Sequence, residues 1–295
     1  MDGIINIFKP KGISSFQVVR AVRFISGEKK VGHTGTLDPL ASGVLPICLG
    51  KGTKIIEYIM ENQKVYKATL KLGEETDTYD LEGNVICTKE VGEIPLSEVK
   101  KVLQSYIGEI MQVPPMYSAL KVDGKRLYEL ARKGIEVERE ARKIIIYNIE
   151  LLEYSKPFIT IRVTCSKGTY IRSLCKDIGD SLKCGAVMTE LVREGSGVFN
   201  SENSVELDSL TKENFNDYLI SLEDALKSYE KIYEKILVNE KFFKLLLNGV
   251  SIKDKAIFND NIDYEKLYRV YSEKDELLGL GEKTSNGFKI IKLLF

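Results

Sequence analysis

Residues 142–182 read RKIIIYNIELLEYSKPFITIRVTCSKGTYIRSLCKDIGDSL, and the period of the apolar residues changes part-way along. Arg142–Tyr154 and Phe158–Cys165 are rich in β-branched and aromatic residues. They meet at Ser155-Lys156-Pro157, a turn signal, which predicts two consecutive strands. Beyond them Ile171, Leu174, Cys175, Ile178 and Leu182 recur three or four apart, the spacing of one helix face. Strand, strand, helix is not the alternation that winds a parallel sheet on both faces. The expected class is α+β, with a mixed, mainly antiparallel sheet and flanking helices.

Working outward, Val187–Phe199 is expected to return to the sheet. Residues 113–141 interrupt the rhythm with Pro114-Pro115, Gly124, Gly134 and Lys or Arg at 121, 125, 126, 132, 133 and 139. They predict a surface insertion with one short helix, Arg126–Lys133. Leu96–Tyr106 reads as a helix. Tyr66, Ala68, Leu70 and Leu72 alternate with Lys67, Thr69 and Lys71, the pattern of a half-buried strand, and Val85–Thr88 is expected beside it. Gly3–Phe8 reads as a strand stopped by Lys9-Pro10-Lys11-Gly12. Ser14 or Ser15 can cap a helix with Phe16, Val19, Val22 and Ile25 on or near one face. Gly32–Gly43 reads as a loop, Val44–Leu49 as a buried strand, Gly50–Gly52 as a turn, and Thr53 as the cap of a short helix. Residues 200–230 are acidic and partly helical, a bridge to strand-like segments at Ala256–Phe258, Leu267–Tyr271, Leu277–Leu280 and Phe288–Leu294. A large domain, 1–230, and a small β-rich domain, 231–295, follow.

With 43% apolar and 29% charged residues over 295 positions, the composition is that of a globular protein. No apolar run approaches the roughly 18–20 residues of a membrane span. The start, MDGIINIFKPKG, does not read as a signal peptide. Five cysteines at irregular spacing, with no CxxC, argue against a disulfide framework or zinc site and for a reducing, cytoplasmic compartment. His33 is the only histidine, so a His-rich metal site is excluded. The formal net charge is zero but unevenly spread: residues 1–70 carry +5, residues 110–180 carry +4 and residues 201–240 carry −6. Such segregation suits either a face for a polyanion or an uneven solvated surface.

Three segments have the residue types for chemistry. In Gly32–Gly43, Pro39 stiffens the backbone after Asp38, which places one carboxylate in a constrained loop near the only imidazole. The plainer reading is an aspartate supporting a turn. In Lys167–Ser173, Arg172 falls in the first turn of a helix. If it points inward it needs a carboxylate partner; outward it is a surface cation. Tyr66 shares its strand face with Ala68, Leu70 and Leu72, where it packs in the core or offers a stacking platform to a nucleobase. Gly50–Lys54 lacks the GxxxxGK[ST] pattern, which disfavours nucleotide hydrolysis.

Together, GHTGTLDPLASGVLPICLGKGTK (32–54), PPMYSALKVDGKRLYELARKG (114–134) and CSKGTYIRSL (165–174) resemble the TruB family of tRNA pseudouridine synthases, in order and separation, across nearly all of residues 3–200. The resemblance implies conversion of the uridine at position 55 in the tRNA T-loop to pseudouridine, without metal or cofactor. It implies Asp38 as the essential aspartate, Tyr66 as the tyrosine that stacks on the target base and takes part in proton transfer at C5, and Arg172 as the arginine paired with the aspartate. His33 would pack into the T-loop near the extruded nucleotide, and Tyr170 and Leu191 would line the base pocket. The insertion 113–141 would be a mobile thumb, and residues 231–295 a PUA-like RNA-binding domain. The expected partner is the T-arm of tRNA, bound by a monomer. The chain departs from the usual family pattern at Phe8, before Lys9-Pro10, and at Val192, where many members carry arginine. The alternative readings are an RNA-binding or tRNA-folding module with incidental catalysis, and a pseudouridine synthase acting on another RNA.

Overall fold

The computed structural model describes residues 1–60, 63–122, 124–227, 229, 232–254, 257 and 262–295. Strand β1 (Gly3–Lys9) is buried along almost its whole length. Helix α1 (Ser15–Ser26) begins at Ser14, which forms a reciprocal capping box with Gln17, and ends at Gly27 in the left-handed conformation. Its buried face is Ser15, Val18, Val19 and Val22. Phe16, expected on or near that face, is 63% exposed, because the three valines set the phase of the helix and residue 16 falls outside their arc.

Strand β2 (Val31–His33) pairs with the wholly buried β3 (Ser42–Leu49), which shortens the expected loop to residues 34–41. Gly50–Ile55 is a 3-10 turn leading into α2 (Ile56–Met60). Thr53 lies inside that turn rather than capping a helix, and its hydroxyl donates to the Gly50 carbonyl at 2.7 Å. Strand β4 (Lys64–Leu72) has the expected alternation. Strands β5 (Glu74–Thr76) and β6 (Val85–Thr88) pair with each other in a separate ribbon. Val85–Thr88 is therefore not the neighbour of β4. Helix α3 (Leu96–Ser105) and β7 (Gly108–Gln112) precede the insertion, which contains a hairpin of β8 (Lys121–Val122) and β9 (Lys125–Arg126) and a helix α4 (Leu127–Ala131) shorter than expected.

Strand β10 (Arg142–Ser155), β11 (Phe158–Cys165) and helix α5 (Ile171–Ser181) follow as residues 142–182 predict, and β12 (Ala186–Ser196) returns to the sheet but ends before the expected Phe199. Three two-residue strands, β13 (Phe199–Asn200), β14 (Val205–Glu206) and β15 (Leu219–Ile220), join the sheet before α6 (Leu222–Lys227). Strands β14 and β15 both pair with β1, so residues 205–206 and 219–220 of the acidic segment belong to the main sheet. The main sheet runs β14-β1-β3-β12-β4-β11-β10-β7, with β13 on β12, β15 on β1 and β2 on β3. Within this main sheet only the β1–β14 and β3–β12 strand pairings are parallel among the described residues.

A separate small sheet has the order β16 (Ile232–Val238), β17 (Leu267–Ser272), β18 (Leu277–Thr284) and β19 (Gly287–Leu293), with helix α7 (Glu240–Leu247) between its first two strands. Strand β16 and α7 are additions to the expectation. Residues 256 and 258 of the expected Ala256–Phe258 strand, and the expected boundary at 230/231, lie outside the described residues. The small sheet has its own core, including Val238, Phe242, Val270, Leu278 and Phe288. A second cluster spans both sheets: Ile4, Val44, Cys48 and Phe199 pack in one buried group with Ile232, Leu280 and Leu294. Among the described residues no helix is long and apolar enough to cross a membrane, and no three-residue group of His, Cys, Asp or Glu could hold a metal.

Candidate active site

The loop 34–41 is held on several sides. The Ser15 hydroxyl donates to the Leu37 carbonyl at 2.9 Å and accepts from its amide at 2.8 Å. Amide donors from Gly12 and Ala41 reach the carbonyls of Pro39 and Asp38 at 2.8 and 3.1 Å. Leu37 is buried, so the loop is anchored immediately before Asp38, whose side chain keeps 36% exposure. One face of the carboxylate is open while protein crowds the others. Burial pushes its pKa above the ordinary carboxyl value; Arg172 and then Lys9 oppose the rise, and Asp80 adds to it.

Arg172 projects from the first turn of α5 and points inward. Its Nη2 lies 3.1 Å from Asp38 Oδ2 and donates to the Tyr117 carbonyl at 2.8 Å. Its Nη1 lies 3.1 Å from Asp80 Oδ2 and 3.2 Å from the Thr78 carbonyl. The guanidinium is thus gripped by two carboxylates and two carbonyls, the pairing that a buried cation needs. Asp80 is itself buried, accepting from the Thr78 hydroxyl at 2.7 Å and the Glu82 amide at 3.0 Å. The preceding residue, Tyr79, has a φ of 65°, a left-handed conformation costly for a tyrosine.

A second buried guanidinium belongs to β12. Arg193 of β12 is 1% exposed and donates from Nε to the Val44 carbonyl at 2.7 Å and from Nη2 to the Gly35 carbonyl at 3.2 Å. No carboxylate of the described residues forms an ion pair with it. It sits opposite Tyr66 of β4 and opposite Gly43 of β3. Gly43 has a φ of 110°, and a Cβ there would lie 2.2 Å from the Arg193 carbonyl, so only glycine permits the short parallel contact of β3 with β12. Tyr66 is buried, which raises its hydroxyl pKa; the charge of Arg193 and a hydrogen bond from it oppose that rise.

His33 accepts at Nδ1 from the Gly35 amide, 3.3 Å away, which leaves its proton on Nε2. Burial, followed by the charge of Arg193, lowers its pKa and keeps it neutral at pH 7. Tyr170 is the N-cap of α5; its amide donates to Gln112 Oε1 at 2.8 Å and its carbonyl accepts from Gln112 Nε2 at 3.0 Å. Leu191 is buried on β12 opposite Ala68, two residues from Arg193 on the same face. Lys9 is fully buried, donates to the Pro10 and Ile13 carbonyls at 2.8 and 2.7 Å, and is brought down to about 8, chiefly by burial.

The structure therefore joins Asp38 to Arg172 directly, and Arg193 joins Tyr66 to the backbone of the Asp38 loop. Sequence reasoning misses Asp80, Arg193, Lys9 and Gln112. Asp80 lies in Asp77-Thr78-Tyr79-Asp80, which reads as an ordinary polar turn. Arg193 carried a usable signal: it shares the period-two face of the apolar Leu191.

Among solved structures, an H/ACA RNP bound to a substrate RNA containing 2'-deoxyuridine matches with a TM-score of 0.71 and 27% identity, over 99% of this chain and 85% of that one. A Cbf5-Nop10-Gar1 complex matches with a TM-score of 0.70 and 29% identity, over 98% of this chain and 79% of that one. The fold is accordingly one shared with chains of these assemblies, the first of them bound to RNA. The model of the TruB family pseudouridylate synthase N-terminal domain matches residues 23–171, and that of the tRNA pseudouridylate synthase B C-terminal domain matches residues 172–234. The protein named tRNA pseudouridine synthase B in Clostridium novyi is 56% identical over the full length of both chains. That of Alkaliphilus oremlandii is 43% identical over 100% of this chain and 99% of its own. This chain belongs to the TruB family of pseudouridylate synthases.

Proposed function

We propose that this chain converts uridine 55 in the T-loop of tRNA to pseudouridine, with residues 1–230 carrying the chemistry and residues 231–295 acting as a PUA-like RNA-binding domain. The observation that carries the reading is the partly open Asp38 carboxylate, paired with a buried arginine in a chain related over its full length to tRNA pseudouridine synthases. A base stacked inside a folded loop has to be extruded before its glycosidic bond can be reached. Tyr66 offers the extruded base an aromatic platform, with Leu191 and Tyr170 lining the pocket, and His33 supports the opened loop from the side of the Asp38 backbone. Asp38 attacks or deprotonates the ribose while the N1–C1′ bond breaks. The base turns and the C5–C1′ bond forms as the Asp38–C1′ bond breaks or, where Asp38 took a ribose proton, as that proton returns to the ribose; the proton at C5 then leaves by way of Tyr66 while N1 gains one. Atoms and electrons balance, so neither metal nor cofactor is consumed.

Arg172 holds Asp38 in position and Asp80 holds Arg172. The Tyr117 carbonyl on Arg172 ties the root of the insertion to the same pair, which suits a thumb that closes over the T-arm. The chain acts as a monomer in the cytoplasm. Incubating the purified protein with unmodified tRNA and mapping pseudouridine tests the reading. Pseudouridine at position 55 alone is the expected result; none, or a scattered pattern, overturns it.

A further inference from the structure

Helix α1 carries a second, outward face. Phe16 and Phe24 are 63% and 77% exposed, and Arg20 and Arg23 between them are also exposed. At 100° per residue these four lie within an arc of about 100°, away from the buried valines. The helix sequence SFQVVRAVRFIS contains no acid, and neither arginine forms an ion pair among the described residues. Lys212, from a separate loop, places its ammonium 5.4 Å from the centre of the Phe24 ring, adding a third cation to the face. Single exposed apolar residues are ordinary on a protein surface. Two phenylalanines and two arginines on one helix face, joined by a lysine from a neighbouring loop, are a different matter, since they combine flat apolar rings with unbalanced positive charge.

The position of this face connects it to the site. The first turn of α1 is tied to the Asp38 loop through the two hydrogen bonds between Ser15 and Leu37. From there the stripe runs roughly 12 Å from Phe16 to Phe24, at about 1.5 Å per residue. Its first residue, Phe16, thus follows directly on the residue that anchors the Asp38 loop. Rings that accept stacked bases, flanked by guanidinium groups that pair with phosphates, are the recurring means of holding a nucleic-acid strand without reading its sequence.

We propose that the Phe16–Arg20–Arg23–Phe24 face of α1, with Lys212, is a docking surface for the RNA substrate outside the base pocket, stacking on unpaired bases and neutralising backbone phosphates. The inference rests on the RNA reading of the site and deepens it. Its occupant is RNA because the face combines exposed rings with unpaired cations and its helix is anchored to the Asp38 loop.

The test uses the full-length protein and a tRNA transcript. None of the residues varied packs in the core or touches the Asp38–Arg172 pair. Filter binding is measured for Phe24→Ala and for Arg20→Gln/Arg23→Gln between low and physiological salt, with single-turnover rates at saturating enzyme alongside. The double arginine variant is expected to weaken binding and to reduce the slope of log affinity against log salt by about 1–2, as two lost phosphate contacts require. Phe24→Ala is expected to weaken binding by at least about fivefold at every salt concentration, with the slope unchanged. Saturated turnover stays at the wild-type rate in both. Wild-type affinity and slope in both variants would overturn the docking surface, as would a wild-type protein that self-associates in sedimentation through Phe24 while tRNA affinity is indifferent to it. Pseudouridine formation by the unaltered protein is scored separately, so a failure of the surface is distinct from a failure of the activity.

Discussion

Two buried guanidinium groups flank the candidate site, and they are satisfied in opposite ways. Arg172 faces two carboxylates, Asp38 and Asp80, at 3.1 Å each. Arg193 has backbone carbonyls and the Tyr66 hydroxyl but no ion pair among the described residues. The first arrangement holds a negative charge where chemistry is wanted: a carboxylate raised by burial is kept in place by a cation that Asp80 shares. The second leaves positive charge uncompensated beside Tyr66, His33 and Lys9, and lowers the tendency of all three to carry a proton. A paired cation positions; an unpaired one sets the electrostatic background of its neighbours.

The sharpest way to break the comparison is at Asp38. Asp38→Asn keeps the shape but is neither nucleophile nor base, so turnover should fall by at least about a thousandfold while RNA binding stays within about tenfold. Tritium release from 5-tritiated uridine, with filter binding in parallel, reads both. Residual turnover within tenfold of wild type would remove Asp38 from the chemistry. Asp80→Asn should come next. It takes one carboxylate from Arg172 and should cost about 2–4 kcal/mol in stability, seen in urea melts, with a loss of rate because Asp38 is then the one carboxylate beside the guanidinium among the described residues. Arg193→Met removes a charge that no carboxylate matches. Its expected cost, about 1–3 kcal/mol, comes from leaving the Val44 and Gly35 carbonyls without their donor. If Arg193→Met were more destabilising than Asp80→Asn, the contrast drawn between the two arginines would be wrong.

His33→Ala should have the smallest effect, about a tenfold fall in single-turnover rate, since the imidazole supports a conformation and moves no essential proton. Its pH dependence carries a sign. The folded-state pKa of His33 is depressed, so the folded chain takes up a proton there less readily than the unfolded chain. The residue therefore costs nothing above about pH 7 and destabilises the fold as pH falls through the unfolded value near 6.5 and below. Between pH 7.5 and 5.5 the alanine variant should lose less of its melting temperature than the wild type. An equal or larger loss would place the imidazole in a protonated setting.

Local pattern made the long strands and helices readable. The alternation of residues 64–72 and the turn at 155–157 each imply their own geometry, and so does the helical spacing from Ile171. Pairing between distant segments was harder. Val85–Thr88 has strand character, but nothing local states that β4 already has β11 and β12 on its two edges. The two-residue strands at 205–206 and 219–220 are too short for any period to register. Phe16 shows the opposite limit: its apolarity suggested burial, and only the phase set by Val18, Val19 and Val22 places it outside. At the site, Asp38 and Arg172 stood out through a stiff loop and a helix start. Asp80 did not, because its importance lies in a contact 92 positions along the chain, which turn chemistry at 77–83 conceals.

The apolar cluster shared by the two sheets has a consequence for how the molecule comes apart. Ile232, Leu280 and Leu294 cover Ile4, Val44 and Cys48, which belong to the first strands of the large sheet. Losing the small sheet would strip cover from β1 and β3, and β3 leads directly out of the Asp38 loop. The two units are thus coupled in their melting: heat should produce a single calorimetric transition in place of two, and the terminal unit acts as a clamp on the thermal lifetime of a site whose described side chains all come from the large sheet and its loops and helices.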